Sequence, residues 1–312
     1  MSIQIRVAER TQSKLRIGLS SPSGGGKTYS ALLLAKGLVG DYKKIGLIDS
    51  ENGRGSFYSD FGPYNVISLR PPFTPESYIE AIRAFENAGV DVIIIDSVTH
   101  EWDGEGGCLQ LNEKLAVAKY KGNTWSAWSE TTPRHQRFLD AITASSCHVI
   151  TTVRNKVETV MTSDKRVKKV GMKEIQREGF EFELTVNFTI DRDSHAVTAS
   201  KDNTRLFEGK DPFVITEETG QILRDWVASG AVDKTEGEKK TLRMKILDQT
   251  DAIGKDINWL DKEVGNINMM TIDELTVLSK RLDATIKKNA KPKDPASAAI
   301  GASAAKHVTP KQ

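Results

Sequence analysis

The residues Ser21-Pro22-Ser23-Gly24-Gly25-Gly26-Lys27-Thr28 follow a short apolar run, LRIGLS, and precede an apolar helical one, YSALLLAKGLV. They match the pattern GxxxxGK[ST] except at its first position, where Ser21 stands in place of glycine. A loop of this kind turns backbone N–H groups inward around phosphate oxygens, and Gly24, Gly25 and Gly26 permit that turn. Lys27 is placed to reach the β- and γ-phosphates, and the Thr28 hydroxyl to coordinate magnesium. The helix that follows adds the favourable potential of its N-terminus. Ser21, Ser23, Gly24, Gly25, Gly26, Lys27 and Thr28 are therefore the expected nucleotide-binding residues, with ATP and Mg2+ as the expected ligands.

Such a site needs an acid at the end of a buried strand beside the loop. Asp96, after VDVIII, has that position, and its carboxylate is expected to hold the magnesium, with Thr28, through water. The group that activates water is less direct. Many ring ATPases place a glutamate immediately after this aspartate, but here the next residue is Ser97. The other common solution places a glutamate just past the neighbouring strand, as in the RecA class. KIGLIDSE supplies Glu51 there, two residues after Asp49. Glu51 is the expected base, Glu101 its competitor, and Asp49 a candidate second support for the metal shell. Past the next strand, CHVITTVRNK offers Thr151, Thr152 and Arg154 as sensors of the γ-phosphate, and Thr152 is preferred.

The elements that must position these groups alternate. Strands are expected at 15–20, 44–50, 64–69, 90–97 and 147–154, with helices between them, including one over 74–89 capped by Thr74 with Pro75 at its first position. The β-branched run VDVIII suits a fully buried parallel strand. A parallel sheet covered by helices on both faces follows. After residue 180, LTVNFTI and HAVTASK flank DRDS and predict an antiparallel hairpin at the sheet edge. ETGQILRDWVASG reads as the last helix of this domain. Residues 103–124, with glycines at 104, 106 and 107, read as a mobile loop, and Trp125 and Trp128 as core. Helical spacing is expected after Pro133.

LIDSENGRG, DVIIIDSVTHEW, NTWSAWSETTPRHQRFLDAI, HVITTVRNKVE, GMKEIQREGFEFE and KDNTRLF occur in that order. The order resembles phage-encoded AAA-type, RecA-like P-loop ATPases, some of them grouped with single-strand annealing recombinases, over roughly residues 12–232. The resemblance implies an α/β RecA-like core that assembles on single-stranded DNA, hydrolyses ATP between subunits and works beside a single-strand DNA-binding protein. It implies a basic residue reaching the neighbouring subunit's site, for which Lys201 and Arg205 in KDNTR are available. It also implies DNA held on loops after the Walker B and sensor strands. KRVKKVGMK, with Lys165, Arg166, Lys168, Lys169 and Lys173 and no acid, suits salt-sensitive phosphate binding; a solvated charge run is the plainer reading. ATP in preference to GTP rests on the resemblance, as no NKxD motif occurs.

The chain divides, on this reading, into the ATPase domain at 1–232, a linker at 233–241, a small helical domain at 242–290 and a disordered tail at 291–312, rich in Pro, Ala, Ser and Lys. In the helical part Thr271 and Glu274 have capping-box spacing. Formal net charge is +2 over 312 residues, so any polyanion surface must be local. Cys108 and Cys147 form no CxxC, which suits reduced thiols. The N-terminus has no apolar run, and a cytoplasmic location is expected, the bacterial host's if the chain is phage-encoded. Two other function classes compete: a DNA-independent regulatory or assembly ATPase, and a small-molecule phosphotransferase, the latter disfavoured by the lack of an arginine-rich lid.

Overall fold

Short β-branched runs bounded by turn residues form the strands of one sheet, and the central ones are completely buried. In the computed structural model, which describes residues 7–161, 167–231, 234–265 and 267–289, these are β1 (Arg16–Ser21), β2 (Ile45–Asp49), β3 (Asn65–Ser68), β4 (Val92–Asp96), β5 (His148–Met161), β6 (Val167–Glu174), β7 (Val186–Ile190), β8 (Ala196–Asp202) and β9 (Phe213–Val214). Helices are α1 (Lys27–Val39), α2 (Pro75–Asn87), α3 (Thr99–Asp103), α4 (Cys108–Lys119), α5 (Thr124–Thr143), α6 (Glu217–Ala228), α7 (Lys234–Ala252), α8 (Ile257–Val264) and α9 (Ile272–Asn289). The sheet runs β3-β2-β4-β5-β1-β7-β8-β9. It is parallel from β3 to β7 and antiparallel at the β7-β8-β9 edge, the mixed α/β architecture expected.

Helices cover both faces. One apolar cluster joins Ile17, Leu19, Leu47 and Ile94 to Leu32, Leu34 and Leu38 of α1 and Leu223 of α6. The other joins Ile48, Ile93, Ile95 and Val149 to Tyr78, Ile82 and Phe85 of α2 and Phe138 and Ile142 of α5. Each fully buried Ile, Val or Leu contributes roughly 1.5–3 kcal/mol, so the sheet holds the strand ends rigidly. On the first face α1 and α6 approach closely: a Cβ on Gly37 would sit 1.9 Å from the Glu217 carbonyl oxygen, and one on Gly220 2.2 Å from that of Leu34.

Several elements differ from expectation. Residues 103–124 are mostly helical: α3 ends at Asp103 and α4 starts at Cys108. The buried face of α4 is Cys108, Asn112 and Ala116, small or polar residues that give no large apolar stripe. α5 begins nine residues before Pro133 and runs through it, because its buried stripe (Ala127, Thr131, His135, Phe138) continues across the proline. Its start is capped by the Asn123 side chain, which accepts from the Ser126 N–H at 3.1 Å. Trp125 is exposed rather than core, whereas Trp128 is partly buried and stacks on Trp102. FEFE, at 180–183, is a 3-10 turn.

The region expected as a DNA loop is a β-hairpin: β5 runs past the sheet edge and pairs antiparallel with β6, Lys156 opposite Lys173 and Val157 opposite Met172. Lys168 and Lys169 lie on β6; Lys165 and Arg166 lie outside the described residues. The expected linker is helical: α7 starts at Lys234, because its second half packs through Ile246 into a core with Leu260, Leu275 and Leu282 and the helix extends back from there. The compact units are residues 1–233 and 234–312. α9 carries the expected capping box, with the Thr271 N–H donating to Glu274 Oε2 at 2.8 Å and the Glu274 N–H to Thr271 Oγ1 at 3.3 Å. The tail expected at 291–312 lies outside the described residues. No described helix is long and apolar enough to cross a membrane.

Candidate functional site

The parallel strands β1, β2 and β4 end, and β5 leaves the sheet, at one edge, and the chemistry-bearing residues collect there. Between β1 and α1 the chain turns through Gly24 and Gly26, both with φ +82°, a conformation costly to other residues. Ser21, which replaces the usual glycine, is fully buried beneath this turn. A Cβ on Gly25 would lie 1.7 Å from Ser21 Oγ, so the serine fits only because residue 25 has no side chain. Its hydroxyl has no hydrogen-bond partner in the protein. The turn opens on a cleft of about 200 Å³ lined by Ser23, Gly24, Gly26, Lys27 and Thr28 on the loop side. Glu51, Asp96 and Arg154 line it from the strand ends, and Arg54, Phe57 and Tyr58 from the turn at 54–61.

Three groups in the cleft carry charge that burial opposes. Lys27 donates through Nζ to the carbonyls of Ser21 and Pro22, both at 2.9 Å. Burial pulls its ammonium below the usual range, partly offset by Asp96 and Glu51. Asp96 ends β4 and is fully buried; Thr28 Oγ1 donates to Oδ2 at 2.5 Å and Thr152 Oγ1 to Oδ1 at 2.6 Å. Burial pushes its carboxyl up despite both hydroxyls. A neighbouring cation would favour the carboxylate form, and Thr28 and Asp96, already touching, form the oxygen pair that suits a hard divalent ion beside a phosphate.

Glu51 lies beyond β2. Arg154 donates through Nε to its Oε1 at 2.9 Å and pairs through Nη2 with Oε2, while Ser97 Oγ donates to Oε1 at 3.1 Å. Burial pushes the Glu51 carboxyl up, but the bonds and charge of Arg154 outweigh burial and hold it below the usual range. Asp49 does not support a metal shell. Its carboxylate accepts the backbone N–H groups of Glu51 at 2.7 Å and Gly55 at 3.0 Å, which holds the turn that presents Glu51. Glu101 is no rival base: it is fully buried away from the cleft and bonded to His135 Nδ1 and Cys108 Sγ, each at 3.0 Å.

Other expected site residues lie elsewhere. Thr152 faces Asp96 and does not line the cleft; Arg154 does. Lys201 pairs with Asn187 near the start of β7, and β7 starts beside the start of β1. Lys201 and Arg205 are thus at the sheet edge remote from the phosphate loop. Lys201 donates to the Phe182 carbonyl at 2.5 Å, and Arg205 is exposed. Lys173 is exposed on β6. Sequence reasoning passed over Arg54, Phe57, Tyr58 and His195. His195, in the β7–β8 turn, reaches the phosphate loop, with Nδ1 3.4 Å from the Gly25 carbonyl. GRGSFYSDF gave the first three no periodicity to stand out by. His195 was visible only through its place in the expected hairpin turn.

A phosphate loop at the C-terminal edge of a mainly parallel sheet, with an acid from the end of the next strand but one touching the loop threonine, defines a P-loop ATPase fold. Residues 13–213, more than half of the chain, match the family model for an AAA domain. The chain belongs to that AAA domain family and is a nucleotide-binding ATPase of the AAA type. No curated protein matches the chain.

Proposed function

We propose that the chain hydrolyses ATP with magnesium in the cleft at Ser21–Thr28 and couples turnover to single-stranded DNA, as a RecA-like protein of phage recombination or annealing. The observation that carries the chemistry is the convergence of Lys27, the Thr28–Asp96 pair and Glu51 on one cleft. Magnesium, when bound, neutralises phosphate charge, and Thr28 and Asp96 are the residues that would hold it. Lys27 counters phosphate charge from the loop, the amides of 24–26 cradle the oxygens, and Glu51 takes the proton of water. Lys27→Ala is expected to lower ATP affinity at least about tenfold, the scale of losing one charge-assisted phosphate contact. Equilibrium ATP binding at wild-type strength by that variant would remove the assignment.

The DNA reading is supported by the β5–β6 hairpin, which leaves the sheet at Arg154 on the edge of the cleft. Lys156 and Lys173 are opposite one another, which concentrates positive charge of the kind a phosphate backbone attracts. Lys168 and Lys169 are on the same ribbon. Further copies of the chain are expected to complete the assembly, with Arg205 available only to a neighbour's site. The alternative, a DNA-independent assembly ATPase, is favoured by Val157 and Met172, an apolar cross-strand pair left half exposed on the same hairpin. Turnover with and without single-stranded DNA separates the two. Stimulation that fades as salt rises supports the first reading, and indifference to DNA supports the second.

A further inference from the structure

A second cluster of chemistry-bearing side chains lies in the helices that follow β4. Glu101 of α3, Cys108 at the start of α4 and His135 of α5 are 0%, 0% and 1% exposed. Cys108 Sγ and His135 Nδ1 each lie 3.0 Å from Glu101 Oε1. A sulfur, a ring nitrogen and a carboxylate oxygen thus stand within 4.8 Å of one another. A carboxylate shut away from water calls for a cation, yet Glu101 makes no ion pair with Lys or Arg among the described residues; its one partner of that kind is His135. His135 Nε2 is buried and has no hydrogen-bond partner in the protein. No neighbouring donor claims that nitrogen, so the tautomer with an unprotonated Nδ1 is open to the ring. Trp102 and Phe138 wall the imidazole, with ring centroids 5.3 and 6.2 Å away.

We propose that Glu101, Cys108 and His135 hold a structural zinc ion that ties α3, α4 and α5 together. Thiolate, imidazole and carboxylate are the ligands zinc takes, whereas Mg2+ and Ca2+ take oxygen. One carboxylate and one thiolate also neutralise a dication, so the buried site has no net charge. Zinc bonds of about 2.0–2.3 Å at tetrahedral angles put ligand atoms roughly 3.3–3.6 Å apart, so the 3.0 Å contacts open only slightly to admit the ion. On binding, the Cys108 S–H bond breaks, its proton goes to solvent and its electron pair to the metal. The ring proton moves to Nε2, Nδ1 becomes a ligand and a water takes the fourth position, with no change of oxidation state. The site is separate from Thr28 and Asp96 and does not line the nucleotide cleft. Its ligands are 7 and 34 residues apart in sequence, outside the short spacings by which zinc motifs are read.

The test is cobalt(II) titration of the full chain, stripped of metal by a chelator, for wild type, Cys108→Ser, His135→Gln and Cys147→Ser. Wild type and Cys147→Ser are expected to bind one cobalt, with thiolate-to-cobalt absorption in the near ultraviolet and the strong visible bands of a tetrahedral ion. Zinc should erase both signals and excess magnesium neither. Cys108→Ser should lose the near-ultraviolet band. His135→Gln should weaken zinc binding by more than about a hundredfold, beyond the cost of losing a ligand's hydrogen-bonded support. Zinc should raise the thermal unfolding midpoint of wild type and not that of Cys108→Ser. A wild-type chain without the near-ultraviolet band overturns the inference. So does a band that persists in Cys108→Ser, or one that vanishes in a Cys147→Ser chain shown by circular dichroism to be folded. Should both ligand variants fail to fold, the wild-type and Cys147→Ser titrations still decide it. None of these measurements uses nucleotide, so their failure leaves the ATPase reading untouched.

Discussion

Asp96 is held by two hydroxyls from different elements, and this shows which site residues a linear pattern can reveal. Thr28 belongs to the loop pattern and Asp96 to the strand-end position, so both were legible from spacing. Glu51 was legible from its place past the next strand. The Glu51–Arg154 pair was not, because it depends on β5 lying beside β4 with Arg154 level with the end of β1, which spacing alone does not state. Ser21 is a further case: its departure from glycine was plain in the sequence, but its compensation by the bare Gly25 is a matter of three-dimensional contact.

One buried residue outside the cleft gives a pH prediction. His148, the first residue of β5, accepts the Leu15 N–H through Nδ1 at 3.0 Å. Burial, then the charges of Lys14 and Arg16, lower its pKa to about 3 from a usual 6.5. The folded state therefore prefers the neutral ring. Its contribution is complete above pH 6.5 and declines as pH falls toward 3, because the unfolded chain takes up the proton first. The slope for this one group is about 1.4 kcal/mol per pH unit in that window. In urea unfolding at several pH values, wild type should lose stability below pH 6.5 more steeply than His148→Gln by about that amount. Parallel profiles would show that the histidine is not held neutral.

At the level of elements, the strands were easier to read than the helices. VDVIII and CHVITT announce themselves because buried parallel strands need apolar residues on both faces. α4 escapes a pattern search because its buried face is Cys108, Asn112 and Ala116, with Asn112 satisfied by Thr131 at 3.1 Å and the Thr124 carbonyl at 3.0 Å. A polar residue whose bonds are met by its neighbour helix can stand where such a search expects leucine. The β5–β6 hairpin reads as a basic loop because charge masks its alternation. The α1–α6 contact makes a prediction at this scale. Gly37→Val would place atoms into the backbone of α6, so overpacking should lower unfolding stability by about 1–3 kcal/mol or more. Since α1 also carries Lys27 and Thr28, the same change should weaken ATP binding. A variant as stable as wild type would mean that the helices slide apart without cost.

On the scale of the whole molecule, the division at residue 233 separates cores that do not share residues. The sheet's two apolar clusters lie entirely within the first unit, and Ile246, Leu260, Leu275, Leu278 and Leu282 form their own cluster in the second. Every residue lining the cleft at the phosphate loop comes from the first unit, and the AAA domain match ends at residue 213. The last part of the first unit is nonetheless needed. α6 covers α1, and the Ala231 N–H donates to the Arg10 carbonyl at 2.8 Å, tying the start of the first unit to its end. A chain stopped at residue 213 loses α6, exposing Leu32, Leu34 and Leu38 of α1, and is expected to aggregate. A chain stopped at residue 233 keeps both clusters whole and should bind ATP within about threefold of the full chain, a difference of less than 1 kcal/mol. If the chain ending at residue 213 bound ATP and the one ending at residue 233 failed, the boundary drawn by the cores would be wrong. If the 233-residue chain bound ATP but lost turnover on single-stranded DNA, the three helices α7 to α9 would have a part in DNA coupling that the cleft itself does not supply.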